Sequence, residues 1–236
     1  MKRVLVFASV VLSCGIIVFP PAAAGSVSLF QNVHSSSLGD VATVTCTLAP
    51  TGSSRNIIVA AVGFGHSGVT TPTVASVVDD RGNTYSPAPN GRGQHLYQDV
   101  EVWHAIGTTA GVTQVTVTFG GVQTGYRECY VFEVGGALAY DTAAGVNDGL
   151  CKLNICSGAP VVTATTAGFV VGVIAADPID RSPADGNEFT GGSIGAYGQS
   201  AAAVLFPDTP KSHQPVWHND RSFEVPFASV TAAYKQ

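Results

Sequence analysis

The chain has 236 residues, a formal charge of −5 at neutral pH and only 11% charged residues, against a usual quarter. No basic tract is present to meet phosphate, which excludes nucleic acid and acidic lipid as expected partners. The length is enough for a sizeable core, and solubility must rest on Thr, Ser, Asn, Gln and turns rather than on charge.

Residues 1–24 read as a secretory signal peptide. Lys2 and Arg3 form a basic start, Val4 to Phe19 is almost wholly apolar, and Ala22-Ala23-Ala24 is a small-residue cleavage site. Pro20-Pro21 ends the apolar run too early for a spanning helix. Cleavage after Ala24 leaves 212 residues and, with Lys2 and Arg3 gone, a formal charge of −7. Val11-Leu12-Ser13-Cys14 also raises lipid attachment at Cys14, although the greasy residues after it suit a tether poorly. The expected address is secreted, extracellular or on the cell surface.

Residues 25–236 are expected to form one domain. Ser26–Phe30 (Ser26, Val27, Ser28, Leu29, Phe30) is a first strand, either at the edge of its own sheet or reaching into a neighbouring subunit. Val41–Leu48 alternates Ala42, Val44, Cys46 and Leu48 against threonines, the period of a half-buried strand. Ile57–Phe64 is apolar on both faces and predicts a central strand covered on both sides. Thr73–Val78 is a further strand, and Asp79–Asn83 a tight turn. Residues 86–94, rich in Pro and Gly, are expected as a surface loop.

Residues 98–134 hold three β-rich runs with short connections, which predicts an antiparallel meander. Val100, Val102 and Ile106 take one face of the first run, and Asp99, Glu101 and Trp103 the other. Leu138–Thr142 begins a shorter strand, followed by a long loop around 147–160. Val161–Thr166 pairs with Phe169–Ala176, a second strongly apolar run. A polar, Gly-rich loop occupies 177–198. Gln199–Phe206 and Trp217–Asn219 follow, and Phe223–Tyr234 ends the domain, where Pro226 argues against an uninterrupted central strand. About a dozen β segments without an amphipathic helix indicate an all-β, antiparallel β-sandwich, jelly-roll-like or immunoglobulin-like.

Four cysteines remain after the signal: Cys46, Cys129, Cys151 and Cys156. An even number in an exported chain predicts disulfides. Cys151 and Cys156 are the natural local pair, and Cys46 with Cys129 would bridge distant strands. Cys129, however, shares its strand face with Arg127 and Glu133, whereas Cys46 shares its own with Val44 and Leu48.

Chemistry-bearing patterns are sparse. Gly191-Gly192-Ser193-Ile194-Gly195 matches the G-x-S-x-G pattern, with Asp208, His213 and His218 following in hydrolase order, but the strand–turn–helix context is lacking. Glu101 and Glu133 could serve glycoside hydrolysis only at a defined separation from a second carboxylate. No cofactor is expected. Calcium is the one candidate ion, at Asp79, Asp80 and Asn83 or at Asp177, Asp180, Asp185, Asn187 and Glu188. Trp103 and Trp217, with Tyr85, Tyr97, Tyr126 and Tyr197, are candidates for stacking on a surface glycan.

The run VATVTCTL, NIIVAAVGF, VASVVDDRGNTYS, VEVWHAI, VTQVTVTF, YVFEVGGALAYD and FVVGVIAA resembles a bacterial secreted β-sandwich surface module over residues 41–176. The resemblance implies a fold and carries over no catalytic residues; Cys151 and Cys156 lie outside its pattern. The leading expectation is a non-catalytic extracellular structural protein, a self-assembling fibre or surface-layer subunit forming homo-oligomers by edge-strand association. A carbohydrate-binding module is the alternative, and a secreted hydrolase the third.

Overall fold

The computed structural model of the chain describes residues 26–39, 41–52, 56–66, 73–120, 125–136, 138–152, 154–164, 167–176, 188–195, 199–219 and 223–236. The expected signal segment with Cys14, the calcium candidates Asp177, Asp180, Asp185 and Asn187, and Tyr197 lie outside the described residues. Among those residues the secondary structure is all strand. The strands are β1 (Ser28–Leu38), β2 (Thr43–Thr47), β3 (Asn56–Gly65), β4 (Val74–Asp79), β5 (Ser86–His95) and β6 (Gln98–Thr108). Next come β7 (Gln114–Phe119), β8 (Tyr126–Gly135), β9 (Ala139–Cys151), β10 (Ile155–Ser157), β11 (Val161–Val162) and β12 (Gly168–Ala176). The last are β13 (Thr190–Ile194), β14 (Ser200–Leu205), β15 (Ser212–His213), β16 (Val216–His218) and β17 (Val225–Lys235).

They form a five-stranded sheet ordered β1-β8-β3-β6-β5, a second ordered β13-β14-β12-β17-β9, a three-stranded sheet β2-β7-β4, and two ribbons, β10-β16 and β11-β15. All pairings are antiparallel. The first sheet is a middle layer. Ile57, Val59 and Ala61 of β3 meet Phe169, Val171, Val173 and Ala175 of β12 in one core. Ile58, Ala60, Val62 and Phe64 meet Val44, Val77, Val115, Val117 and Phe119 of the three-stranded sheet in another. A strand with period-two side chains can be apolar throughout only where both faces are covered, and β3 is such a strand. The β12 run repeats this logic. Its other face places Ile174 and Ala176 beneath Trp217, and Val170 beside Phe189.

The meander is overturned. β6 and β8 do not pair with β7; they flank β3, and β7 lies between β2 and β4 in the other sheet. The short connections cross between layers. β3 needs apolar neighbours on both edges, and β6 and β8 supply side chains to both cores, whereas β7, dry on one face only, fits an outer sheet.

Two loops are also corrected. Residues 86–95 form an edge strand, with Pro87 opposite Trp103 and the register shifting between Pro87 and Arg92, so that Pro89 falls outside the regular pairing. β9 runs thirteen residues to Cys151, well into the expected 147–160 loop. β17 lies between β12 and β9 despite Pro226, because β12 pairs only from Phe227 onward and asks nothing of the proline nitrogen.

Candidate functional site

Cys151 and Cys156 are disulfide-bonded, as the spacing led us to expect. The second bridge is not formed: Cys46 and Cys129 are free and fully buried. The Cys46 thiol instead donates to the Cys129 carbonyl oxygen at 3.1 Å. The neighbouring Cys46 thiol, and after it burial, hold the Cys129 thiol well above its ordinary pKa, so it stays protonated. The two lie together because the face of β8 that carries Arg127 and Glu133 is itself a core face.

The Asp79–Asn83 turn is closed by its own hydrogen bonds rather than left open for calcium. Asp79 accepts from the Arg81 and Asn83 amides, the Asn83 side chain and the Tyr85 hydroxyl. Asp80 accepts from the Thr113 amide and hydroxyl, at 2.9 and 2.6 Å, which hold its carboxyl below the usual range. Glu188, the remaining calcium candidate, binds Lys211 at 2.9 Å and His213 at 2.8 Å. No group of three or more ligating side chains occurs among the described residues.

Ser193 sits within β13, in register with Ala202 of β14, rather than on a strand-to-helix elbow. His213 is fully buried against Glu188 and Thr163, His218 is held in the β10-β16 ribbon, and Asp208 accepts from Thr209. Ser193 therefore lacks the elbow context that the pattern requires.

The expectation of a glycan contact is corrected for Trp217. Trp217 is fully buried in the outermost core. Trp103 is half-buried, packs between the middle and three-stranded sheets, and donates its indole N–H to Glu101 at 3.0 Å.

Buried charge is concentrated around β6 and β8. Glu101 also accepts from the Val74 amide, and Asp99 from Arg92 at 3.2 Å. Desolvation raises the pKa of both carboxyls, with Trp103 opposing it at Glu101 and Arg92 opposing it at Asp99. Glu133 accepts from Gln31 and the Gly52 amide, tying β1 and the segment after β2 to β8. The Glu128 carboxylate and the hydroxyls of Ser200 and Tyr130 lie within hydrogen-bond reach of one another, the two hydroxyl protons being shared among the three contacts, and they stitch the two five-stranded sheets together. Each of these carboxylates is buried and held by protein donors, an arrangement that fixes strands in place.

The surface that stands out is β1. It ends its sheet, so among the described residues one side of its backbone has no strand partner. Within the chain it pairs with β8 from Ser28 opposite Gly135 to Leu38 opposite Tyr126. The expected reach of Ser26–Phe30 into a neighbour is thus met here by folding back: Ser28 and Leu29 pair with Gly135 and Val134. A register shift between Leu29 and Gln31 sets Phe30 outside the ladder, 60% exposed, and Leu38 at the far end is 54% exposed. Val33 packs against one core and Leu29 against the other. His34 stacks on Tyr130 at 4.9 Å, and Gln31 bonds the Ala49 backbone through both its amide atoms. β1 is therefore firmly seated on one side. Its eleven residues include no Lys, Arg, Asp, Glu or Pro, so apart from the irregularity at Leu29/Gln31 the edge carries no charge or proline to oppose pairing. Sequence reading caught only the first part of this edge, Ser26–Phe30. No family model, curated protein or solved structure matches the chain.

Proposed function

We propose that this protein is a non-catalytic extracellular structural subunit whose copies associate through the β1 edge. The observation that carries the reading is the eleven-residue, uncharged edge strand with apolar Phe30 and Leu38 exposed at its ends. A second copy's β1, antiparallel to the first, would satisfy both rows of backbone groups and join two five-stranded sheets into one. The Cys151–Cys156 disulfide and the signal-like sequence of residues 1–24 support an oxidising, exported setting.

The test is sedimentation of the purified mature chain over a concentration series, with Phe30→Lys and Leu38→Lys in parallel. Both side chains are exposed, so the fold should survive, while charge on the edge should oppose pairing. Mass rising with concentration in the wild type and a monomer in the double variant are expected. A wild type that stays monomeric at its solubility limit would refute the reading.

A further inference from the structure

Symmetry limits the ways in which two β1 edges can meet. Side chains alternate between the two faces of a strand. A two-fold axis that sets β1 antiparallel to a second β1 stands perpendicular to the sheet, so every side chain keeps its face. Residues directly opposite one another share a face, which allows only registers in which one residue lies on the axis and faces its own copy.

Three centres keep most of the strand paired. Centred on Asn32, the ladder ends before exposed Leu38. Centred on Val33, exposed Phe30 meets Ser36, and Leu38 meets Ser28. Centred on His34, Phe30 of each copy meets Leu38 of the other at both ends of the ladder, and Asn32 meets Ser36. Only this last register covers the two exposed apolar side chains of the strand with each other, and removal of apolar surface from water drives association. It also leaves the irregular backbone between Leu29 and Gln31 at the ladder's end, where it interrupts least.

The axis then falls on the one ionisable residue of β1. The His34 ring stacks on Tyr130 of β8, whose hydroxyl lies 3.2 Å from a Glu128 carboxylate oxygen and 2.8 Å from Ser200 Oγ. Burial lowers the His34 pKa from its ordinary 6.5, so the ring is uncharged at neutral pH. Opposed residues of an antiparallel pair have Cβ atoms roughly 4.5–5.5 Å apart, and like charges there are destabilising. Paired copies therefore bind these protons less readily than separate ones. Association is whole above 6.5 and weakens as pH falls through the lowered value.

Resting on the edge association proposed above, we propose that two copies join β1 to β1 in the register that sets His34 against its own copy, and that protonation of this pair in mild acid releases them.

The test has two arms. In the first, Asn32→Cys and Ser36→Cys chains are mixed under a mild oxidant. The native cysteines do not compete, since Cys46 and Cys129 are buried and Cys151 is bonded to Cys156. A mixed cross-linked pair is expected, with neither chain linking to itself. In the second, sedimentation of the mature chain is compared between slightly alkaline and mildly acid buffer. The dissociation constant should rise about tenfold or more in acid, and His34→Gln should associate at both pH values alike. Linking of Asn32→Cys to itself, linking of Ser36→Cys to Phe30→Cys, or no mixed pair while mass still rises would each overturn the register and leave edge association standing. A dissociation constant that ignores acid, or that responds equally in His34→Gln, would overturn the release. A wild type monomeric at every pH would remove both this proposal and the edge association beneath it.

Discussion

His104 shows how a single side chain ties stability to pH. Its ring stacks on Tyr140 at 5.4 Å, meets Tyr234 edge-on at 5.5 Å, and places Nδ1 3.2 Å from the Tyr234 hydroxyl. Burial raises the Tyr234 pKa, so its O–H remains available to the neutral imidazole. Burial also lowers the His104 pKa from its ordinary 6.5, because a charged ring would lose its water. The folded state thus binds this proton less readily than the unfolded chain. The stability contributed is whole above 6.5 and is lost as pH falls through the lowered folded value. We expect His104→Gln to cost about 1–2 kcal/mol near neutral pH, through lost packing. The difference from wild type should shrink in mild acid, as read from urea midpoints at each pH. A gap that stays constant with pH would show that His104 does not charge on unfolding.

At the scale of strands, the two five-stranded sheets close on each other where β5 crosses β9, and glycine permits the approach. A Cβ at Gly145 would run into the Arg92 carbonyl, and one at Gly93 would stand 2.8 Å from the Val146 oxygen and closer still to that of Ser229. The Gln94 amide then reaches the Asn147 side chain at 2.8 Å. Gly145→Ala must push β5 away, so a loss of about 1–3 kcal/mol is expected from overpacking. Equilibrium denaturation measures it; an unchanged midpoint would mean that the edge yields without cost.

The same scale separates what sequence made legible from what it did not. Ile57–Phe64 and Phe169–Ala176 were readable as doubly covered strands, because burial of both faces leaves a continuous apolar run. Val44, Cys46 and Leu48 were readable by alternation. Pairing was not, since a short connection can close a hairpin or cross to another layer, and only the needs of β3 decide between them. Nor was the charged face of β8 readable as core: Arg127 is fully buried and lies 5.1 Å over the Phe119 ring, where residue type alone suggests solvent. The β1 edge was legible for five residues.

Across the molecule, one sheet serves two cores, so neither can come apart without exposing the other. The two tryptophans report on opposite sides of this arrangement. Trp103 packs with the core beneath the three-stranded sheet, and Trp217 with the outermost one behind β12. Chains retaining one tryptophan each, Trp217→Phe and Trp103→Phe, should show fluorescence transitions with the same slope against denaturant. Unequal slopes would mean that the layers open in separate steps.

The doubly covered middle sheet also limits where novelty can arise. Along most of β3 and β8 a changed side chain must still fit a packed interior, so drift there is confined to substitutions of similar bulk. New recognition has to be written at the turns and the outermost edges, and an engineer seeking to retarget the molecule would exchange those while leaving its centre alone.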